Sequence, residues 1–329
     1  MHTFVVVEKE GEDSVSSGGF AVVMPSMEEN FFQFSLKQIE LRKLVGRGST
    51  ADIYRGMWRG LDVAVKCIYP GFFQSNRNCQ TWFAQELETL SRQRHPFVLR
   101  LMGACFDLPD KGWVVTEFLS RRTLKEWLHG QSERQRQRLI PLPPLEERID
   151  KGLEIAQAMQ YLHEQKPKVI HRDLKPSNVF LDDAMHVRVA DFGHARFLPE
   201  GELSLTGETG TYVYMAPEVI RCEPYSEKVD VYSFSIILNE LITGQFPYIE
   251  YDYGPTELAS LVPYTVSDRT RSWGNKIRPT LPEKCSQLEE LTDLILQSWD
   301  ENPQNRPSFA TITCSLRNIR EKIVESVGG

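Results

Sequence analysis

Residues 229–242 form a run that is apolar nearly all round. A helix without a polar face has to be covered on every side, so this one must lie at the centre of a sizeable unit. Material to cover it is present on both sides in sequence. Ile149, Leu153, Ala156, Met159 and Leu162 recur at helical spacing, and helices are expected over 288–299 and 309–327. Between the last two, Asn302-Pro303-Gln304-Asn305-Arg306-Pro307-Ser308 reads as a turn and cap. The chain after Leu119 is therefore expected to be mainly helical.

Ahead of Leu119 the hydrophobic period shortens. Residues 41–45, 53–58 and 63–68 are short β-rich runs separated by Gly-bearing turns at 46–49 and 59–60, the pattern of an antiparallel meander. Residues 82–92 carry Trp82, Phe83, Leu87 and Leu90 at helical spacing until His95-Pro96 breaks the pattern, and strand-like runs follow at 97–105 and 113–118. The expected fold class is α+β: a five-stranded antiparallel sheet with one helix, then a larger, mainly helical unit. At about 150 residues per domain, 329 residues suit two such units. The expected domains are 1–34, a flexible acidic extension; 35–118, the small unit; and 119–329, the large one. Residues 131–138 and 248–276 read as surface insertions.

The formal net charge is −7, and the first thirty residues hold six acids (Glu8, Glu10, Glu12, Asp13, Glu28, Glu29) against Lys9. Binding to nucleic acid is not expected from such a balance. Six cysteines lie far apart with no CxxC pair, which points away from a zinc ribbon or a disulfide framework and towards a reducing compartment. No stretch reaches the roughly 18 apolar residues of a membrane span. No basic stretch precedes the brief apolar run 4–7, no Gly follows Met1, and no prenylation box ends the chain, so no leader, anchor or membrane association is expected. A cytoplasmic location is expected, with a nuclear one as the alternative.

Gly46 and Gly48 sit between two strand-like runs, where a glycine turn can bring backbone N–H groups close to phosphates; alone, a plain hairpin turn is as good a reading. Val63-Ala64-Val65-Lys66 on the next strand adds weight. Alternation aims Val63 and Val65 one way and Ala64 and Lys66 the other, so the last two line one pocket. The decisive series is His171-Arg172-Asp173-Leu174-Lys175-Pro176-Ser177-Asn178, then Asp191-Phe192-Gly193 thirteen residues after Asn178, then Ala216-Pro217-Glu218. Each triplet is uninformative by itself; the ordered series is not.

On these motifs the chain resembles the eukaryotic protein kinases over about residues 36–322. The resemblance implies a two-lobed fold, ATP and Mg²⁺ (with Mn²⁺ as a substitute), and protein substrates. It makes Lys66 the phosphate-anchoring lysine and Glu86 its ion-pair partner, with the neighbouring Glu88 as the alternative. Asp173 would orient the substrate hydroxyl and accept its proton, Lys175 would steady the transferring phosphoryl group, and Asn178 and Asp191 would hold the metal. Gly46, Gly48, Ile53, Ala64, Lys66, Thr116 (the gatekeeper), Glu117, Leu119 and Phe180 would surround the ATP. The hydroxyl of Thr211 would bridge Asp173 and Lys175. Glu218 would pair with Arg306.

Within the superfamily, residues 101–105, 178–181 and 230–244 look like the tyrosine-kinase-like group, with its Raf-like and mixed-lineage-like serine/threonine kinases. Ala51 stands in place of the third loop glycine and Ser235 in place of a usual glycine in the central helix; Arg121 and Arg122 stand where many relatives carry two glycines. The expected function is a protein serine/threonine kinase of signal transduction; the alternative is a pseudokinase or nucleotide-binding scaffold with a degenerate glycine loop. Ser204, Thr206 and Thr209 are candidate phosphosites for an upstream kinase, because Arg172 beside Asp173 lacks an obvious second anion.

Overall fold

A computed structural model describes residues 36–48, 50–71, 79–107, 111–119, 122–131, 138, 140–198, 205, 211–250, 278–282 and 288–328. The expected extension 1–34, most of both expected insertions, Ser204, Thr206, Thr209 and Arg121 lie outside these residues. The chain divides into two compact units, one running to Ser91 and including Arg100–Phe118, the other made of Arg92–Leu99 and everything from Leu119 onward.

In the first unit, β1 (Ile39–Arg47), β2 (Ala51–Trp58), β3 (Leu61–Ile68), β4 (Leu101–Asp107) and β5 (Lys111–Glu117) form one antiparallel sheet in the order β1-β2-β3-β5-β4. Arg59 and Gly60, with φ of 49° and 83°, make the two-residue turn between β2 and β3. Two left-handed residues in sequence match the twist of the strands they join. Val63 and Val65 are fully buried and cluster with Ile39, Cys105 and Val115 on one face of the sheet. Burying each valine contributes roughly 1.5–3 kcal/mol, which fixes the strand's register and turns Ala64 and Lys66 to the other face.

The helix α1 (Cys79–Arg92) buries Phe83, Leu87 and Leu90. Glu86 lies on that same stripe, three residues after Phe83, and is buried with it; Glu88 is about 200° further round at 3.6 residues per turn.

The expected strand over 97–105 begins only at Leu101. The Leu99 N–H donates to Val189 O at 2.9 Å and the Val189 N–H to Phe97 O at 2.8 Å, so 92–99 belongs with the second unit, not within a continuous 35–118. Both halves of the run are apolar, and composition gives no sign that they pair with different partners.

The second unit contains α2 (Leu124–His129), α3 (Leu145–His163), α4 (Pro217–Ile220), α5 (Lys228–Thr243), α6 (Glu289–Ser298) and α7 (Phe309–Gly328). Every residue from Val229 to Ile242 in α5 is buried, with α3 and α6 packed against it and α7 lying on α3. Four three-residue strands, too short to show a period, accompany the helices: β6 (Lys168–Ile170) pairs with β9 (Arg196–Leu198), and β7 (Val179–Leu181) with β8 (Val187–Val189).

Two arginines satisfy carbonyls at the C-terminal ends of α5 and α2. Arg148 Nη1 donates to Leu241 O (2.7 Å) and Ile242 O (2.5 Å), and Arg138 donates to Gly244 O (2.5 Å) and Leu128 O (2.6 Å). Cations at a helix C-terminus oppose its negative dipole end. Arg138, expected on a surface insertion, is thus half-buried, and Tyr248, at the start of the other, is fully buried.

Candidate active site

In the first unit, pairing places Ile53 opposite Lys66, Ala64 opposite Thr116 and Gly46 opposite Ile53. Opposed residues of an antiparallel pair point to the same side, so Ile53, Ala64, Lys66 and Thr116 share one face of the sheet. Lys66 Nζ donates to both oxygens of Glu86, at 2.8 and 3.0 Å. The ammonium is thereby held over the sheet with a buried carboxylate behind it. Val114 and Val115 are core, as expected, and Phe118 is half-buried with the Arg55 guanidinium 4.9 Å from its ring centroid.

The glycine turn is tighter than the sequence suggests: the Gly48 N–H donates to Ala51 O at 2.9 Å instead of standing free. Ala51 has no positive φ, so an alanine there carries no backbone strain. The Glu117 N–H donates to Arg100 O (3.1 Å), whereas Leu119 makes no backbone hydrogen bond to another described residue.

In the second unit, the segment between β6 and β7 is held from below by Asp230 of α5. Its Oδ1 accepts the Arg172 N–H (2.8 Å), and its Oδ2 accepts the His171 N–H (2.8 Å) and lies 2.9 Å from His163 Nε2. Complete burial pushes the Asp230 carboxyl upward, but the hydrogen bond and charge of His163, the charge of His171 and the Arg172 amide outweigh it, and the net direction is below the usual carboxylate range. This anchoring accommodates Arg172 at φ 67°, a left-handed backbone that a bulky residue adopts only when its surroundings impose it.

Beyond that bend, four expected residues converge. Asp173, 5% exposed, accepts Lys175 Nζ on Oδ2 at 2.7 Å and the Thr211 hydroxyl on Oδ1 at 2.9 Å, while Lys175 Nζ also donates to Thr211 Oγ1 at 2.6 Å. Asn178 Nδ2 donates to Asp173 O (2.9 Å) and Oδ2 (3.0 Å). The Ala190 N–H donates to Asn178 O at 2.9 Å, which puts Asn178 and Asp191 at the same end of the β7–β8 hairpin. Asp191 is exposed, in a left-handed conformation (φ 61°, ψ 70°), and opens the 3₁₀ turn Phe192–His194. Phe180 occupies the centre of β7.

The chain matches the protein kinase domain family over residues 39–316. It belongs to the protein kinase family. This kinase is 32% identical over 302 residues to serine/threonine-protein kinase STY17 of Arabidopsis thaliana, covering 92% of this chain and 48% of that protein. It is 34% identical over 294 residues to serine/threonine/tyrosine-protein kinase HT1 of the same plant (89% and 69%), and 32% identical over 287 residues to serine/threonine-protein kinase TNNI3K of Rattus norvegicus (87% and 32%). The group read from the sequence, Raf-like and tyrosine-kinase-like, is the group of these relatives. The kinase spans about half the length of STY17 and less of several others. ATP and Mg²⁺ are what the protein kinase family generally uses. Among the described residues no helix is long and apolar enough to cross a membrane.

The donor set of the kinase suits that metal. Asn178 spends its amide hydrogens on Asp173, which reserves its carbonyl oxygen, and the exposed Asp191 adds a carboxylate. Two hard oxygen donors fit an ion that keeps water and phosphate oxygens as its remaining ligands; Mn²⁺ accepts the same donors.

Sequence reasoning passed over Asp230, His163, Tyr214 and Glu240. For Asp230 and Glu240 a signal existed: carboxylates inside an otherwise apolar central helix are retained only where partners satisfy them.

Proposed function

We propose that this kinase transfers the γ-phosphoryl group of ATP to serine and threonine hydroxyls of proteins. The observation that carries the reading is the closed set Asp173–Lys175–Thr211–Asn178, a buried carboxylate with both oxygens oriented. In the reaction an acceptor hydroxyl takes the place beside Asp173, which orients it and accepts its proton as the bond to phosphorus forms and the bond to the ADP oxygen breaks. Lys175 steadies the transferring group, and Lys66, held by Glu86, anchors the phosphates. Asn178 and Asp191 would hold Mg²⁺, which would supply positive charge against the charge that builds up on the phosphates. Ile53, Ala64, Thr116, Glu117, Leu119 and Phe180 are read as the nucleotide's surroundings, with Gly46 and Gly48 over its phosphates.

Serine/threonine specificity is supported by Lys175 and Thr211 and by the printed activities of most of the relatives. The pseudokinase alternative rests on Ala51, and a residue at negative φ gives no reason to expect a lost loop. The domain reading is a small lobe over 35–118 less 92–99, and a large lobe made of 92–99 and 119–329. A reducing, cytoplasmic or nuclear setting is the reading that six widely spaced cysteines without a CxxC pair support.

The test is incorporation of labelled phosphate from ATP with Mg²⁺ into a generic protein acceptor, with Asp173→Asn, Asp191→Asn and Lys66→Met as controls. Each variant is expected to lose activity thousands-fold, about 4 kcal/mol or more of transition-state stabilisation. Asn is chosen at 191 because it tolerates the left-handed backbone, and Lys66→Met is expected to lower stability as well, since it strands the buried Glu86. Wild-type activity in the Asp173→Asn protein would overturn the reading.

A further inference from the structure

We propose that Tyr69 is a positioning residue: with its hydroxyl on Asp52 and its backbone N–H on Thr50, it braces the glycine turn 46–51 from the side of the sheet away from the nucleotide. The consequence for ATP affinity rests on the phosphotransfer reading above; the bracing itself does not.

The turn joins β1 to β2 and closes on itself through the Gly48 N–H, which donates to Ala51 O at 2.9 Å. Tyr69, the residue after β3, reaches it twice. Its N–H donates to Thr50 O at 3.0 Å, which carries the β2–β3 ladder one step past the Ala51–Ile68 pair. Its hydroxyl donates to Asp52 Oδ1 at 2.7 Å, with Gly48 O a more distant neighbour at 3.3 Å. A phenol has one proton to give, and the short contact to a carboxylate takes it. That hydrogen bond first, then desolvation and the Asp52 charge, raise the Tyr69 phenol above its usual value, so the proton is in place at neutral pH.

Asp52 depends on this partner. Its side chain is 19% exposed, and the one cation near it, Arg47, has its Nε 3.9 Å from Oδ1 and a side chain 76% exposed. An ion pair that long and that exposed contributes little, so the Tyr69 hydroxyl is what orients the carboxylate.

Asp52 is opposed to Cys67, and its neighbour Ile53 to Lys66. Side chains alternate along a strand, so the Asp52–Tyr69 bond lies on the face opposite Ile53 and Lys66. It touches nothing on the nucleotide's face. Tyr69 also follows Lys66 by only three residues, so one short stretch of chain carries both the phosphate-anchoring ammonium and the brace on the turn read as covering the phosphates. A turn already held in place loses less freedom when a triphosphate arrives, and the difference appears as affinity. Ala51, with fewer backbone conformations than a glycine, acts in the same direction.

Tyr69→Phe removes only the hydroxyl and is the principal test. Asp52→Asn against Asp52→Ala is the conservative comparison, since asparagine keeps an oxygen for the phenol. Two readouts are taken on the full chain: amide hydrogen exchange at Gly48 and at position 69, and steady-state kinetics over a range of ATP concentrations with a generic protein acceptor. In Tyr69→Phe, exchange at both amides is expected to quicken by about threefold to tenfold, the size of one hydrogen bond, and KM for ATP to rise by a similar factor while kcat stays within about twofold. Asp52→Asn is expected to raise KM for ATP less than Asp52→Ala. Wild-type exchange in Tyr69→Phe overturns the inference, as does quickened exchange with an unchanged KM for ATP. A lower kcat at unchanged KM, the sign of a protein that is partly unfolded, overturns it too. A wild-type protein unable to transfer phosphate overturns the phosphotransfer reading instead, and exchange alone then decides whether Tyr69 braces the turn.

Discussion

Arg306 meets Glu218 across 88 positions of sequence in a two-pronged ion pair, Nη1 to Oε1 at 2.6 Å and Nη2 to Oε2 at 2.9 Å, with both residues buried. The guanidinium is satisfied further by donating to Asp300 O at 2.8 Å and Lys228 O at 3.1 Å, and it lies 5.2 Å from the centroid of the Tyr232 ring. Lys228 Nζ donates back to Arg306 O. The pair ties the start of α4 to the turn before α7 within the second unit.

Arg306→Ala is expected to destabilise the protein, because it leaves the Glu218 carboxylate buried without its cation. Loss of one partner of a buried pair costs about 3–5 kcal/mol, to be read as a lower thermal or urea midpoint. ATP affinity of the protein that remains folded is expected to be unchanged; an unaltered midpoint would count against the structural role.

Asp230 links stability to acid. Its carboxyl sits below the usual range in the folded protein and returns to about 3.9 when unfolded. The folded state therefore binds the proton less readily, so the contribution of Asp230 is complete above about pH 4 and is lost as pH falls through the depressed value. Asp230→Asn is expected to cost about 1–3 kcal/mol for each backbone N–H left poorly accepted. The gap between variant and wild type should be full at pH 7 and narrow in urea titrations carried out progressively below pH 4. A gap independent of pH would show that the charge of Asp230 is not what holds His171 and Arg172.

Arg172 bears on activation. Its Nε donates to His194 O (2.6 Å) and its Nη1 to the Tyr225 hydroxyl (2.8 Å), both neutral acceptors. Arg196 stands close enough for burial first, and then the Arg172 charge, to push its guanidinium down from the usual arginine value. Two neighbouring cations would gain from an anion, and a phosphate on Ser204, Thr206 or Thr209 would supply one. Phosphatase treatment and a Ser204/Thr206/Thr209 triple alanine variant are each expected to lower kcat; full activity in both would remove the phosphate from the account.

The ordered motifs were legible because phosphoryl transfer needs particular side chains at particular intervals, and intervals survive in one dimension. Lys66, Asp173, Lys175, Asn178 and Asp191 could be named from them, as could the strand alternation that puts Val63 and Val65 inside and Lys66 on the other face. The long helices were legible for a related reason: the apolar run of α5 and the stripe of α3 repeat over enough residues to carry a period.

Tertiary structure alone decided the rest. Three-residue strands such as β7 and β8 exist only because they pair, and the parting of 97–99 from 101–105 depends on which neighbour each finds. The sequence already favours Glu86 over Glu88, and the burial of Glu86 beside Phe83, Leu87 and Leu90 on α1 gives that preference its physical reason. The ties of Asp230 to His171 and of Glu240 to Tyr214 span 59 and 26 positions respectively, with no sequence interval to announce them. A helix apolar nearly all round must be buried, and that much is written in its residues; which backbone its few carboxylates will satisfy is settled only when the chain closes around it.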